Sequence, residues 1–248
     1  TLISIFISGK RPSGSSDPYA LRRNLNGVIK IIWDYELDLP LDNLFKELIE
    51  YWEIVFPNLN FSKEKVFNDL NEFLVQRIVC HLEDLSLSKE LIKSFSSSDD
   101  FSQKRILNIV DLKKRINSII VFKEKDTFVG IQKVITRVSK LAKSSNLSKE
   151  VFSTEDYVNT KLFEKECEFK VFEFIKELEN VFSKGYCNYM RLLNLFEINI
   201  NTIEDLFDNE KGVLIMSEDI KIRNNRLNLL SLIRNYSLKI ADFTLLNS

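Results

Sequence analysis

Proline and glycine are scarce in this sequence. Its 248 residues hold six Gly and four Pro, where ordinary usage would give about 30 together. Pro12, Pro18, Pro40 and Pro57 all lie in the first 57 residues, and only three glycines interrupt the stretch from Asn58 to Ser248. Sandwiches, barrels and doubly wound sheets need Gly- and Pro-bearing turns at short intervals, so this scarcity excludes them and predicts an all-α fold of long helices. Histidine is limited to His81. That removes His-based nucleophilic triads and hydrolytic metal centres, and leaves His81, within Ile78–Leu82, as a helix-packing or surface residue. Neither GxGxxG nor GxxxxGK followed by Ser or Thr occurs, so no phosphate cradle is expected. The three cysteines, Cys80, Cys167 and Cys187, are odd in number and far apart. A disulfide framework is therefore not expected, and a reducing, cytoplasmic setting fits. No run approaches the roughly 18 apolar residues of a membrane span. Neither sign of charge dominates: 35 basic and 36 acidic residues give −1, so any attraction to nucleic acid must be local. Thr1 opens inside the apolar segment Leu2–Ile7 with no initiator Met or basic region ahead of it, and the chain reads as a piece of something longer.

What is present is the composition of a globular protein, 44% apolar and 29% charged, with helical periodicity almost throughout. After a turn-rich loop from Ser8 to Pro18, Ser16 or Asp17 can cap a helix with Pro18 at its first position, running to Tyr35. Its stripe is Leu21, Leu25, Val28, Ile29 and Ile32. Pro40 and Pro57 bracket a second helix, Leu41 to Val55, with Leu44, Phe45, Leu48, Ile49 and Trp52 on one face, and Asn58–Asn60 is the best domain boundary. Further helices are predicted at 62–84, 88–96, 101–119, 125–143, 159–183, 186–195 and 203–207, with Gly185 as a helix-ending residue and Val213–Met216 as a short apolar segment. A last helix spans Asp219 to Asp242. Short Ser-rich joints, Ser94–Ser98 and Ser144–Ser148, suit antiparallel neighbours in a bundle. Paired acids such as Asp99–Asp100 and Glu218–Asp219 fall at helix starts, where they complement the macrodipole.

One helix stands out electrostatically. Between Asp126 and Glu150 there is no acid, while Lys133, Arg137, Lys140 and Lys143 are present. At about 100° per residue, the first three fall in a narrow sector opposite Ile131, Val134, Ile135, Val138, Leu141 and Ala142. An amphipathic helix whose polar face holds cations without interspersed acids suits phosphate contact, and it is also what an ordinary solvated face can look like. The last helix adds Lys221, Arg223, Arg226, Arg234 and Lys239 behind a broad apolar surface of Leu227, Leu229, Leu230, Leu232 and Ile233. It reads as wedged into the bundle, with its arginines snorkelling.

Two segments match a known family. Pro12-Ser13-Gly14-Ser15-Ser16-Asp17-Pro18-Tyr19-Ala20-Leu21-Arg22-Arg23 resembles the Pro-Thr-Gly-Ser-Lys-Asp-Pro-Phe-Ala-Leu-Arg-Arg signature of bacterial glycyl-tRNA synthetase beta subunits. Val213–Asp219, Arg223–Leu230 and Ala241-Asp242-Phe243 resemble the C-terminus of the same subunits. The resemblance implies the tail of an HD-like helical domain at 1–60, connector helices at 61–123, and at 124–248 a DALR-type helical anticodon-binding domain similar to that of arginyl-tRNA synthetase. Arg137 then takes the family's Lys-Arg position with Thr136 replacing the Lys, and Ser16 replaces the signature's Lys.

The resemblance further implies a chain that binds tRNA(Gly) and holds its anticodon arm, with no catalytic residue and no metal or cofactor of its own. ATP and Mg would be used on an alpha subunit, in an alpha2beta2 glycine-tRNA ligase that makes glycyl-tRNA. Lys133, Arg137, Lys140, Lys143, Arg191, Arg223 and Arg226 are the implied tRNA-binding residues. Tyr186, Tyr189, Arg191 and Met216 are the candidates for reading bases, against a packing role for each. Asp17, Arg22 and Arg23 form a structural motif in which one arginine is expected to anchor the Gly9–Asp17 loop. Two other readings stay open: a helical protein-interaction module that binds no RNA, and a decaying HD-type phosphohydrolase, for which the His-Asp metal ligands are missing.

Overall fold

A computed structural model describes residues 1–12, 14–96, 105–182 and 188–246. The regular structure of these residues is helical, and the chain divides into two units, Thr1–Lys114 and Arg115–Ser248. The first unit contains α1 (Leu2–Ile7), α2 (Leu21–Tyr35), α3 (Leu41–Val55), α4 (Lys63–Asp84) and α5 (Lys89–Phe95). Ser62 and Ser88 cap α4 and α5, their hydroxyls accepting from Lys65 N at 3.3 Å and Leu91 N at 3.2 Å. Helix α4 is the hub, with α1, α2, α3 and α5 packed against it. It supplies Leu70, Leu74, Ile78 and Leu82 to the core, where Leu25, Ile29 and Ile32 of α2 and Leu41, Phe45 and Ile49 of α3 are buried as well. His81 is half-buried, its ring edge-on to Trp33 with centroids 5.2 Å apart.

Helix α6 (Ile109–Lys123) crosses the division between the units. The second unit continues with α7 (Phe128–Leu141), a 3-10 turn at Ala142–Ser144, a second at Thr160–Leu162, then α8 (Glu166–Phe182), α9 (Tyr189–Ile198), α10 (Ile200–Asp205) and α11 (Ile220–Leu238). Helix α11 is its axis: it packs on α7, α8 and both 3-10 turns, and Leu227, Leu229, Leu230, Leu232, Ile233 and Tyr236 are all at most 3% exposed. No described helix is long and apolar enough to cross a membrane.

Several expected elements are corrected. Helix α2 starts at Leu21 rather than Pro18, because Ala20 takes a left-handed conformation (φ 54°) that no helix can continue through. Its buried stripe excludes Val28, which is exposed, as is Leu48 on α3. The helix expected at 101–119 breaks at Leu107–Asn108, where the Asn108 side chain accepts from Asp111 N at 2.9 Å and so starts α6. The helix expected from 159 starts at Glu166, because Glu168 reaches back to accept from Glu164 N (2.7 Å) and Lys165 N (3.1 Å) in the manner of a capping box. The last helix ends at Leu238. Gly185, Cys187, Ser98 and Asp99–Asp100 lie outside the described residues.

Candidate nucleic-acid interface

Helix α7 separates its residues as the 3.6 period demands. Phe128, Ile131, Val134, Ile135, Val138 and Ala142 are buried, while Lys133, Arg137, Lys140 and Lys143 are exposed. Residues three and four apart on a helix are neighbours, so Lys133, Arg137 and Lys140 form one ridge, and Lys143 continues it onto the 3-10 turn. Among the described residues no carboxylate pairs with Lys133, Lys140 or Lys143. The flanks of the helix are tied down. Lys125, just before it, reaches Glu197 Oε2 at 2.5 Å and Asn194 Oδ1 at 3.1 Å, and Thr127 donates to Glu197 Oε1 at 2.5 Å. These hydrogen bonds, the Lys125 ammonium first, hold the Glu197 carboxyl below its ordinary pKa. Thr136 donates to Phe243 O at 3.4 Å, and Gln132 Nε2 donates to Leu246 O. This cationic face therefore stands on a helix fixed by its apolar side, by the anchor ahead of its first turn and by Gln132 and Thr136 along its length.

The guanidinium of Arg137 lies over the ring of Phe207, 4.2 Å from its centroid. Phe207 sits just after α10, in a loop closed by Val213 N to Leu206 O and Gly212 N to Asp208 O, both 3.1 Å. The Asp208 carboxylate accepts from Glu210 N and Lys211 N at 2.8 Å each. These backbone bonds, Lys211 first, lower its pKa. Nothing in the spacing of Phe207 marked it in the sequence, since its partner lies on another element.

Arg226 is corrected. Instead of reaching solvent it is 3% exposed. Its Nε donates to Glu168 Oε1 at 2.9 Å, one Nη to Glu164 Oε2 at 2.6 Å and the other to Leu214 O at 3.1 Å. Burial pulls against its charge, but the two carboxylates win and its pKa is raised. A guanidinium so buried and already paired with two carboxylates is withheld from phosphate. The rest of α11 behaves similarly towards the irregular segment between the first 3-10 turn and α8. Asn225 accepts from Asn159 N (2.7 Å) and donates to Asn159 O (3.1 Å), and Asn228 donates to Tyr157 O at 2.7 Å. Arg234 donates to Ala142 O and Leu147 O, both 3.1 Å, and Asn235 to Ser148 O (2.8 Å) and Val151 O (2.7 Å). The Arg-Asn-Asn-Arg-Leu-Asn motif is thus a clamp for backbone carbonyls and amides. Arg226 and Arg234 do not snorkel: with Arg234 8% exposed, burial pushes its pKa down.

The remaining candidates divide. Arg191 is exposed on α9, where Asn188 caps its N–H at 3.0 Å, and Arg223 is half-buried in the first turn of α11. Each is carried by a helix other than α7. Met216 is 49% exposed, whereas Tyr189 is 5% exposed, so its ring packs in the core and cannot receive a base. Tyr186 lies outside the described residues. In the first unit, Asp17 accepts from Leu21 N at 2.8 Å and Arg22 N at 3.0 Å, capping α2 from four residues back across the Ala20 turn. Arg22 donates to Gly14 O at 2.8 Å and anchors the loop, while Arg23 is exposed. Arg11 pairs with Asp69 of α4 at 2.6 Å, tying the same loop to the hub helix.

Residues 1–97 match the family model described as glycyl-tRNA synthetase beta subunit. A glycine–tRNA ligase beta subunit of Trichodesmium erythraeum is 31% identical over 248 residues, covering 98% of this chain and 34% of the relative. One from Picosynechococcus is 30% identical over 247 residues, with the same coverage. One from Yersinia pestis is 29% identical over 250 residues, covering 99% of this chain and 33% of the relative. The chain spans about a third of the length of the curated relatives it matches, at 34%. The similarity runs along nearly all of the chain, through both the loop held by Asp17 and Arg22 and the clamp of α11, and the chain belongs to the glycyl-tRNA synthetase beta subunit family.

Proposed function

We propose that this chain is the tRNA-binding part of a glycyl-tRNA synthetase beta subunit and holds the anticodon arm of tRNA(Gly). In this reading the glycylation of tRNA uses ATP and Mg on an alpha subunit, in an alpha2beta2 cytoplasmic enzyme, and the present segment makes no bond. The division into an HD-like tail at 1–60, a connector at 61–123 and an anticodon-binding bundle at 124–248 belongs to the same reading. The observation that carries it is the acid-free ridge of α7. Lys133 and Lys140, with Lys143 on the turn that follows, stand exposed without carboxylate partners among the described residues, and the other side of the helix is locked into the core, which is the arrangement that contacts phosphate and releases counterions. Arg137 lies on the ridge, and Arg191 and Arg223 remain secondary contacts.

The test is a titration of labelled tRNA(Gly) with the full beta subunit and its Lys140→Glu variant at several salt concentrations. Binding should weaken for all tRNAs alike, and the log–log salt slope should fall by about 0.7–0.9 for each phosphate no longer neutralised. Stability should change by no more than about 0.5 kcal/mol, since Lys140 is exposed. Equal affinity and parallel salt lines would reject the reading. A helical docking module without RNA binding is the second reading, favoured by the apolar side chains left open on the first unit: Ile31 and Tyr35 on α2, and Tyr51 and Ile54 on α3, are 52–76% exposed. It predicts RNA affinity indifferent to Lys140→Glu, and loss of a protein partner on Tyr51→Ser.

A further inference from the structure

We propose that Arg137 and Phe207 together form a stacking platform for one unpaired nucleobase of the bound RNA. The inference rests on the RNA-binding reading and deepens it, by giving Arg137 a role different from that of its lysine neighbours. Three observations separate it from them. First, its guanidinium lies 4.2 Å from the Phe207 centroid, and among the described residues it makes neither a hydrogen bond nor an ion pair. Arg22, Arg226 and Arg234 instead spend their donors on carbonyls and carboxylates. An exposed guanidinium backed by an aromatic ring has its remaining flat face available, and single-stranded bases stack on such planes.

Second, the backing is preset. Phe207 follows α10 in a loop folded closely on its own backbone: a Cβ at Gly212 would lie 2.4 Å from Asp208 O and 2.6 Å from Leu206 O. Two acids beside Phe207 are engaged, Asp205 by Lys211 at 3.7 Å and Asp208 by backbone amides, so they oppose an approaching strand less than free carboxylates would, and the exposed Glu210 is the one loop acid left unengaged among the described residues. Third, Lys133 and Lys140 flank Arg137 by one helical turn on either side, about 5–6 Å away. A strand whose phosphates sit on those two ammonium groups would present the intervening base at Arg137. Phosphates then fix the position and the platform receives the base.

The test uses the full beta subunit with Phe207→Leu, which keeps an apolar side chain without the ring, and Arg137→Lys, which keeps the charge without the plane. Affinity is measured for tRNA(Gly) and for transcripts made abasic at single anticodon-loop positions, across several salt concentrations. Each variant should weaken tRNA binding about five- to hundredfold. The salt slope should stay unchanged, because every phosphate keeps its cation. One abasic position should weaken wild-type binding by a comparable factor and cost the variants nothing further. Arg137→Lys is a surface change that leaves folding intact, so it decides the matter if Phe207→Leu proves unstable. Wild-type affinity in Arg137→Lys, or fully additive losses at every abasic position, would overturn the platform. If Lys140→Glu weakens binding while Phe207→Leu and Arg137→Lys do not, only the platform fails. If Lys140→Glu has no effect either, the RNA-binding reading fails with it.

Discussion

In α7 the cations Lys133, Arg137 and Lys140 all face solvent, as does Lys143 on the turn that follows, whereas in α11 Arg226 and Arg234 are 3% and 8% exposed. Both helices are rich in leucine, isoleucine or valine and both carry cations, so the difference lies in arrangement. In α7 the apolar residues occupy one side and leave the other to water. Beyond the first turn of α11 they go round the helix, so Asn225, Arg226, Ser231, Arg234, Asn235 and Ser237 are buried too, and a buried cation needs partners. Glu164 and Glu168 serve Arg226, while Arg234 takes carbonyls and the Asn235 side chain. Arginine in this family segment is therefore no guide to RNA contact unless the exposure of its helix face is known.

The contrast between the two helices is tested most severely by removing the cation that should matter only to folding. Arg226→Ala leaves Glu168, which is 0% exposed, without its partner, and breaking such a buried pair costs about 3–5 kcal/mol. Denaturant unfolding should show this loss, while the salt slope of any tRNA binding that survives should match wild type. A smaller effect is expected in the loop of Phe207. Gly212→Ala forces a Cβ against two backbone oxygens and should destabilise by about 1–3 kcal/mol. It should also weaken tRNA binding by shifting Phe207 from under Arg137, as titration of the variant would show.

At the start of α11, Asp219 Oδ1 accepts from Lys221 N at 2.7 Å and Ile222 N at 3.1 Å. Asp219→Ala should cost about 1 kcal/mol in thermal or urea unfolding, whereas Thr127 before α7 makes no such cap bond. The smallest effect concerns pH and the Lys125–Glu197–Thr127 anchor ahead of α7. The folded-state pKa of Glu197 is lowered, so the native state holds its proton less readily than the unfolded chain. Its contribution is present above the ordinary carboxylate pKa and is lost as pH falls through the lowered folded value. Glu197→Gln should flatten the acid limb of a stability–pH curve and leave the alkaline side unchanged.

Much of the local structure was legible. Pro40 and the Leu44–Trp52 periodicity bounded α3 at Leu41–Val55, and the start of the last helix at Asp219 and most of the α7 stripe were readable too. The errors came where one side chain outweighed propensity over a short window. Asn108 broke a helix by capping the next, Glu168 delayed α8, and the Ala20 turn moved the start of α2. Tyr189 was a plausible base reader by type and a core residue by position.

Spacing within a few turns was enough to establish that the protein is helical and that α7 separates apolar from cationic residues. It was also enough to assign Asp17 and one of the following arginines to the ordering of their loop, since those partners lie within eight residues of each other. The distant pairs were settled by packing alone. Arg226 meets Glu168 from 58 residues away, Arg234 meets Leu147 from 87, and Arg137 on α7 meets Phe207 beyond α10. Packing α11 against its neighbours brings the first two pairs together and excludes water from them, and no local pattern encodes which partner a buried charge will find.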